Sequence, residues 1–197
     1  MKKYFPVLQY INIPNTFTTL GLVFGVVAIY FMTQGSLKGV LICLLLASLM
    51  DLVDGYFAVK LNQQTRFGEY ADSLVDFFIC CIMPVVIVYY FVANDLLIII
   101  SLLFYSICGL WRLAHFNVVA SEKRNYFTGL PVPGAMLLVA IAIWAVVQYG
   151  LPAWLCVAAF FITGLLMISF FKIKKFGVGH KVLCAVDVGF FILIVLS

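Results

Sequence analysis

The sequence predicts an all-α integral membrane protein: a polytopic transmembrane helix bundle with a six-helix core and one additional C-terminal helix. Of its 197 residues, 65% are hydrophobic and 10% are charged, and the mean hydropathy is +1.17. A soluble domain carries about 25% charged residues. Apolar stretches of about 20 residues, the length that crosses a bilayer, recur along the chain between short polar segments. We expect a single domain over residues 1–197.

Polar or helix-breaking residues bound each apolar stretch and predict seven spans. The predicted spans are 14–33, 37–60, 69–92, 95–119, 131–149, 152–171 and 181–197. The last span is short, so we take it as the additional helix. Pro6, Asn12 and Pro14 interrupt the segment after the N-terminal lysines. We therefore expect no secretory signal peptide and a first apolar stretch that stays as a helix.

The basic residues predict the orientation of the bundle. If the N-terminus is cytoplasmic, ten of the 12 Lys and Arg residues fall at the cytoplasmic face, Arg112 lies within the fourth span, and only Lys38 falls outside. Because Lys and Arg favour the cytoplasmic side, we expect this orientation in the plasma (inner) membrane. The basic residues are dispersed between spans, so the net charge of +4 indicates topology and excludes a nucleic-acid partner.

The six cysteines all fall inside apolar stretches and form no CxxC pair. Cysteine in such a setting behaves as a small buried hydrophobe. We therefore predict no disulfide and no zinc site.

Four of the six aspartates fall in one window. Asp51 and Asp54 lie three residues apart near the end of the second span, and Asp72 and Asp76 lie four apart near the start of the third. Both spacings put a pair on one helix face. Two antiparallel helices joined by a short loop bring all four carboxylates together just inside the membrane, at its cytoplasmic side.

Four bare carboxylates in a membrane are costly, at about 2.5–3.5 kcal/mol for each Asp at a helix centre. The site must therefore hold protons or cations, and carboxylate oxygens suit magnesium, manganese or calcium. Several carboxylates suit a pair of metal ions about 3.5–4 Å apart. A divalent-cation or proton transporter would also use intramembrane carboxylates, but it needs acidic residues toward the outer face. Spans two and three have none there.

The aspartates resemble the signature of the CDP-alcohol phosphotransferase family, D-x2-D-G-x2-A-R-x8-G-x3-D-x3-D. Within 26 residues this sequence has seven of the fixed positions at the same offsets: Asp51, Asp54, Gly55, Ala58, Gly68, Asp72 and Asp76. One position departs from the signature, because Val59 stands where the family has Arg.

Other segments are similar to the bacterial and archaeal phosphatidylserine synthase branch of that family. The segment from Arg66 to Asp76 has its R-F-G-x3-D-S-x2-D form. The segment 112–117 resembles R-L-A-x-F-N, 127–133 resembles F-x-G-L-P-x-P, and 14–18 resembles P-N-x2-T.

The resemblance implies transfer of the phosphatidyl group of CDP-diacylglycerol to the hydroxyl of L-serine, with two divalent ions, Mg or Mn, and release of CMP. Asp76 would be the general base, and the metal ligands would be Asp51, Asp54, Asp72 and Asp76. The CDP-lipid would contact Asn15, Thr18, Asp51, Gly55, Ala58, Arg66 and Gly68. The acceptor would contact Arg112, Asn117 and Thr128. The family also implies a homodimer.

Several alternatives stay open at this point. Glycerol phosphate or inositol phosphate could replace serine, although a phosphorylated acceptor needs more cations than one intramembrane arginine, Arg112. An archaeal ether lipid could replace the donor. Arg112 could also pair with an acidic residue, and Asn15 and Thr18 could cap the first helix. Asp187, a lone carboxylate in the last span, has no role in this pattern.

Overall fold

A computed structural model describes residues 5–92, 95–119, 126–170, 172–174 and 178–196, without the side chains of 119, 126–127, 172–174 and 178–184. Eight α-helices carry the fold. Their bounds are α1 Ile13–Thr33, α2 Leu37–Lys60, α3 Arg66–Asp76, α4 Met83–Phe91, α5 Leu96–Val119, α6 Val132–Tyr149, α7 Trp154–Ile168 and α8 Val178–Leu196. A 3-10 helix, Pro6–Tyr10, precedes them, and a π-helical turn, Phe77–Ile82, joins α3 to α4 in one span.

The all-α membrane bundle that the sequence predicts is confirmed. Within the described ranges, five helical segments have the length and apolarity to cross a bilayer, namely Ile13–Thr33, Leu37–Lys60, Arg66–Phe91, Leu96–Val118 and Val132–Tyr149. Helix α7 and the described part of α8 are shorter apolar helices. The second predicted span has the observed bounds, and the other six differ by one to three residues at an end.

Local contacts explain where the predicted bounds were wrong. The third span begins at Arg66 and not at 69, because the Thr65 side chain caps the helix by accepting from the Gly68 N–H at 3.1 Å. The sixth span, predicted over 152–171, is limited to Trp154–Ile168. In its last turn the Leu166 carbonyl accepts a hydrogen bond from the Leu130 N–H at 2.9 Å, and the helix ends at Ile168.

A short antiparallel ladder was not expected from the sequence. Strand β1, Tyr126–Thr128, pairs with β2, Lys172–Lys174, with Thr128 opposite Lys172. The ladder closes the end of the bundle where α5 and α7 finish and α6 and α8 begin. Gly129 follows β1 with φ of +74°, a backbone conformation that favours glycine, and a Cβ there would collide with the Met167 carbonyl.

The buried core lies between α2, the α3–α4 span, α5, α6 and α7, and its largest fully buried side chains include Tyr105, Phe160 and Leu41. Helices α1 and α2 form the most extensive helix pair, and α5 packs on α7. Five cysteines are free and buried, as their apolar surroundings predict: Cys43, Cys80, Cys81, Cys108 and Cys156. The side chain of Cys184 lies outside the described residues.

Candidate active site

The hairpin of α2 and α3 brings three of the four motif aspartates together. One carboxylate oxygen from each of Asp51, Asp72 and Asp76 lies within 4.8 Å of the others, and all three side chains are half-buried. Asp51 is nine residues from the end of α2 at Lys60, about 14 Å at the helical rise of 1.5 Å per residue. The cluster is therefore recessed from the polar end of the bundle.

Asp54 is the most buried of the four, at 6% exposure. Its Oδ2 accepts a hydrogen bond from the Thr18 hydroxyl of α1, which also donates to the Pro14 carbonyl at 3.3 Å. Thr18, Asp54 and the three clustered carboxylates line one pocket, together with Gly21, Ala47, Ser48, Val75, Ile79 and Cys80. Helix α1 thus forms one wall of the acidic pocket.

The π-helical turn directly after Asp76 has an identifiable cause. Pro84 has no N–H to pair with the Cys80 carbonyl four residues earlier, and its ring crowds that carbonyl. The fully buried Tyr105 of α5 donates its hydroxyl to the Cys80 carbonyl at 2.8 Å. The same turn holds the Cys80 thiol 3.9 Å from Asp76 Oδ1. A hydrogen bond from α5 therefore supports the backbone that carries Asp76.

The residues predicted to contact the CDP-lipid lie along α1, α2 and the start of α3. Asn15 packs against Gly68 so closely that a Cβ there would lie 2.7 Å from Asn15 Oδ1. Asn15 also donates to the Tyr10 carbonyl at 2.8 Å, and the Tyr10 ring stacks on Phe67 at 4.3 Å. These contacts fix the start of α1 against the start of α3.

Along α2 the surface beside the aspartates is open. Gly55 is exposed, and no atom lies within 4 Å of the position that a Cβ would occupy. Ala58 is half-buried, and Arg66 at the start of α3 is exposed. Val59, at the position of the family's Arg, is 50% exposed, while Lys60 holds its ammonium group 5.3 Å from the Tyr56 ring centre. Small side chains leave room for a ligand to approach the backbone here.

The predicted acceptor residues occupy different settings. Arg112 of α5 is 6% exposed, its guanidinium lies 5.8 Å from the Phe116 ring centre, and its Nε has no hydrogen-bond partner among the residues that the structure describes. It is within electrostatic reach of Asp76. Asn117 accepts from the Ser73 hydroxyl at 3.0 Å, which ties α5 to α3. Thr128 is half-buried in β1 and is not among the residues that line the pocket.

Sequence reasoning missed Ser48 and Cys80, although the signal was present. Ser48 precedes Asp51 by three residues and Cys80 follows Asp76 by four, so extending the helical spacing by one turn finds both. Both side chains line the acidic pocket.

The donor set fits hard divalent cations. Three carboxylate oxygens converge within 4.8 Å at a recessed position, with Asp54 and its threonine partner in the same pocket. Carboxylates are the protein ligands that magnesium and manganese prefer.

Residues 11–186 match the family model described as CDP-alcohol phosphatidyltransferase. A CDP-diacylglycerol–serine O-phosphatidyltransferase of Mycobacterium leprae is 28% identical over 177 residues, covering 83% of this chain and 58% of that protein. An archaetidylserine synthase of Methanothermobacter thermautotrophicus is 33% identical over 139 residues, 68% of this chain and 58% of that protein. A CDP-diacylglycerol–glycerol-3-phosphate 3-phosphatidyltransferase of Aquifex aeolicus is 38% identical over 65 residues, 33% of this chain and 36% of that protein.

The chain thus spans less than two thirds of the length of these relatives. The family model, however, covers every helix that contributes to the acidic pocket, from α1 through the α3–α4 span. With its four motif aspartates at their expected spacing, this membrane protein belongs to the CDP-alcohol phosphatidyltransferase family.

Proposed function

We propose that this protein transfers the phosphatidyl group of CDP-diacylglycerol to the hydroxyl of L-serine, giving phosphatidylserine and CMP. The observation that carries the proposal is the convergence of Asp51, Asp72 and Asp76 within 4.8 Å in a recessed pocket of a CDP-alcohol phosphatidyltransferase. Because the substrate already contains an activated diphosphate, the reaction needs no second energy source.

Asp51, Asp54 and Asp72 are the proposed ligands of one divalent ion, Mg or Mn, and Asp76 joins them at a second. When bound, such ions neutralise diphosphate charge and stabilise the charge that develops at the reacting phosphorus. The Thr18 hydroxyl orients Asp54 by its hydrogen bond, and the Tyr105–Cys80 hydrogen bond supports the backbone after Asp76. The chain's own contacts thereby pre-form the ligand arrangement.

Asp76 is the proposed general base. A serine hydroxyl is a weak nucleophile until its proton is removed. Asp76 accepts that proton, the serine oxygen forms a bond to the phosphorus that carries diacylglycerol, and the bond to the bridging oxygen of CMP breaks. The base acts here by its position within hydrogen-bond reach of the hydroxyl.

The two substrates would approach from different sides. The cytidine diphosphate group would lie along the open surface at Gly55 and Ala58, near Asn15, Thr18, Arg66 and Gly68, while the lipid tails stay in the bilayer. Arg112 would hold the serine carboxylate through its planar guanidinium, whose Nε has no partner in the described part of the chain. Asn117 and Thr128 complete the proposed acceptor side.

Serine is favoured as the acceptor because the names of the two relatives that match more than two thirds of this chain contain serine. The relatives from Mycobacterium leprae and Methanothermobacter cover 83% and 68% of this chain, whereas the glycerol-3-phosphate relative covers 33%. Arg112, the single buried arginine among the described residues, also suits an acceptor without a phosphate group. We further propose that the acidic pocket faces the cytoplasm and that the protein forms a homodimer.

The test is CMP release by the purified protein with CDP-diacylglycerol, Mn²⁺ or Mg²⁺, and one acceptor at a time. We expect release with serine and metal only, and Asp76→Asn should lower the rate about 10²–10⁴-fold, the usual contribution of a general base. Asp95→Asn, the same change at an exposed carboxylate near the opposite end of the bundle, is the matched control.

Each other outcome has its own meaning. Release with glycerol phosphate or inositol phosphate in place of serine would overturn the acceptor and leave the family chemistry intact. Preference for an ether-linked CDP-lipid would identify an archaeal donor. A fully active Asp76→Asn variant would exclude Asp76 as the base.

A further inference from the structure

Helix α8 places a fifth carboxylate beside Ser48, a residue that lines the acidic pocket. The helix packs against α2, and near its end the Val195 carbonyl accepts a hydrogen bond from the Lys38 ammonium group at 3.2 Å. Eight residues back from Val195, about 12 Å along the helix, Asp187 lies beside the Ser48 hydroxyl and within electrostatic reach of Asp51. The two helices therefore run antiparallel, with Asp187 at the level of the pocket.

Among the described residues, Asp187 has no cationic partner that would explain its burial. Its side chain is 4% exposed, and within the described part of the chain the Ser48 hydroxyl is its polar neighbour, although neither carboxylate oxygen has a partner at full hydrogen-bonding geometry. A buried carboxylate without a cation or a donor is costly in a membrane. Since Ser48 lines the acidic pocket, the compensating charge for Asp187 is available in the ions proposed there.

Ser48 is placed to connect Asp187 with the pocket. It lies three residues before Asp51 on the same face of α2, and it is 5% exposed. A carboxylate next to a hydroxyl of the pocket wall, one helical turn from a candidate metal ligand, is the kind of outer-shell arrangement that tunes a metal site.

We infer that Asp187 is a positioning residue of the metal site, which strengthens cation binding by its charge and holds Ser48 in the pocket wall one helical turn from Asp51. The inference rests on the metal site of the proposed function and extends it to α8. Asp187 also lies just beyond residues 11–186, the range that matches the family model. The proposed contribution of Asp187 therefore comes from a residue outside that match.

The test measures Mn²⁺ binding directly, from the paramagnetic resonance signal of free Mn²⁺ titrated with purified protein in detergent. Asp187→Asn keeps the shape of the side chain and removes its charge. We expect about 10-fold weaker Mn²⁺ binding, at the lower end of the range for outer-shell changes. Asp187→Glu should retain most of the affinity, and Asp95→Asn should leave it unchanged.

A kinetic readout separates positioning from a general loss of structure. In Asp187→Asn the Mn²⁺ concentration for half-maximal CMP release should rise about 10-fold, while the rate at saturating Mn²⁺ recovers. Ser48→Ala should weaken Mn²⁺ binding in the same direction, which provides a second test if Asp187→Asn does not fold.

Folded Asp187→Asn that binds Mn²⁺ as tightly as the unmodified protein would overturn the inference and leave the proposed function standing. If Asp187→Asn does not fold, unchanged Mn²⁺ binding by Ser48→Ala would overturn it instead. Absence of Mn²⁺ binding by the unmodified protein would overturn both the inference and the metal site of the proposed function.

Discussion

Gly55 lies on the exposed surface of α2 directly after Asp54, with no atom near the position of a Cβ. At the scale of single residues this allows a methyl group to test the proposed CDP-lipid surface without disturbing packing. Alanine is the better helix former by about 1 kcal/mol. A loss of function in Gly55→Ala would therefore come from the ligand and not from the fold.

We expect Gly55→Ala to raise the KM for CDP-diacylglycerol several-fold while the thermal unfolding midpoint stays equal or increases. Gly189→Ala is the matched control, because Gly189 is also an exposed helical glycine with open space around it. It should leave the KM unchanged. An unaffected KM in Gly55→Ala would remove Gly55 from the nucleotide surface.

The motif aspartates show what is predictable at this scale. Spacings of three and four residues put Asp51 and Asp54, and Asp72 and Asp76, on shared helix faces, and the short loop between the helices sets the rest of the geometry. Asp187 was not predictable as a neighbour of Asp51, because more than 130 residues separate them. Only the packing of α8 on α2 brings them together, and periodicity within one helix carries no information about that packing.

At the scale of elements, the α3–α4 span depends on an exchange of hydrogen-bond donors. Pro84 cannot donate to the Cys80 carbonyl, and Tyr105 from α5 donates instead. The π-helical turn between Asp76 and Pro84 is therefore held by a side chain from another helix. Tyr105→Phe removes the hydroxyl that donates to the buried Cys80 carbonyl, at a cost of about 1–3 kcal/mol.

We expect Tyr105→Phe to lower the thermal unfolding midpoint in detergent. When the same substitution is made in the Pro84→Ala variant, the decrease in the midpoint should be less than half as large. Alanine at position 84 restores an N–H that can pair with the Cys80 carbonyl. Tyr90→Phe, at a tyrosine that is 54% exposed in α4, is the control without a buried partner. Equal losses with and without Pro84 would refute this exchange of donors.

The elements differ in how far the sequence predicts them. The long apolar runs predict both ends of α2 at the observed residues. They predict each end of the other six spans to within three residues. The ladder of β1 and β2 could not be predicted, because its three-residue strands lie in two polar connections about 44 residues apart. The early end of α7 follows from the same pairing, since the chain after Ile168 leads into β2.

At the scale of the whole molecule, the charge distribution predicts the side of the membrane on which the pocket opens. Lys60 and Arg66 flank the α2–α3 connection near the pocket, and Lys38 lies at the opposite end of α2. Because basic residues favour the cytoplasmic side, we expect the α2–α3 connection in the cytoplasm and the α1–α2 turn outside.

Single cysteines at exposed Gln64 and Gln34, introduced separately, test this orientation. A membrane-impermeant maleimide should label Gln34→Cys in intact cells and Gln64→Cys only after permeabilisation. The unmodified protein is the background control, and five of its cysteines are buried. The reverse labelling pattern would place the pocket on the outer side.

Helix α7 has a consequence for the surrounding membrane. Its 15 residues extend about 22 Å, less than the roughly 30 Å of a bilayer's hydrocarbon core. Ile162, Leu165 and Ile168 on its outer surface are more than half exposed, so lipid contacts this face directly. Hydrophobic mismatch of this kind is relieved by local thinning of the bilayer. We therefore expect lipid headgroups beside α7 to lie deeper than elsewhere around the protein, which would shorten the path between the membrane surface and a recessed pocket.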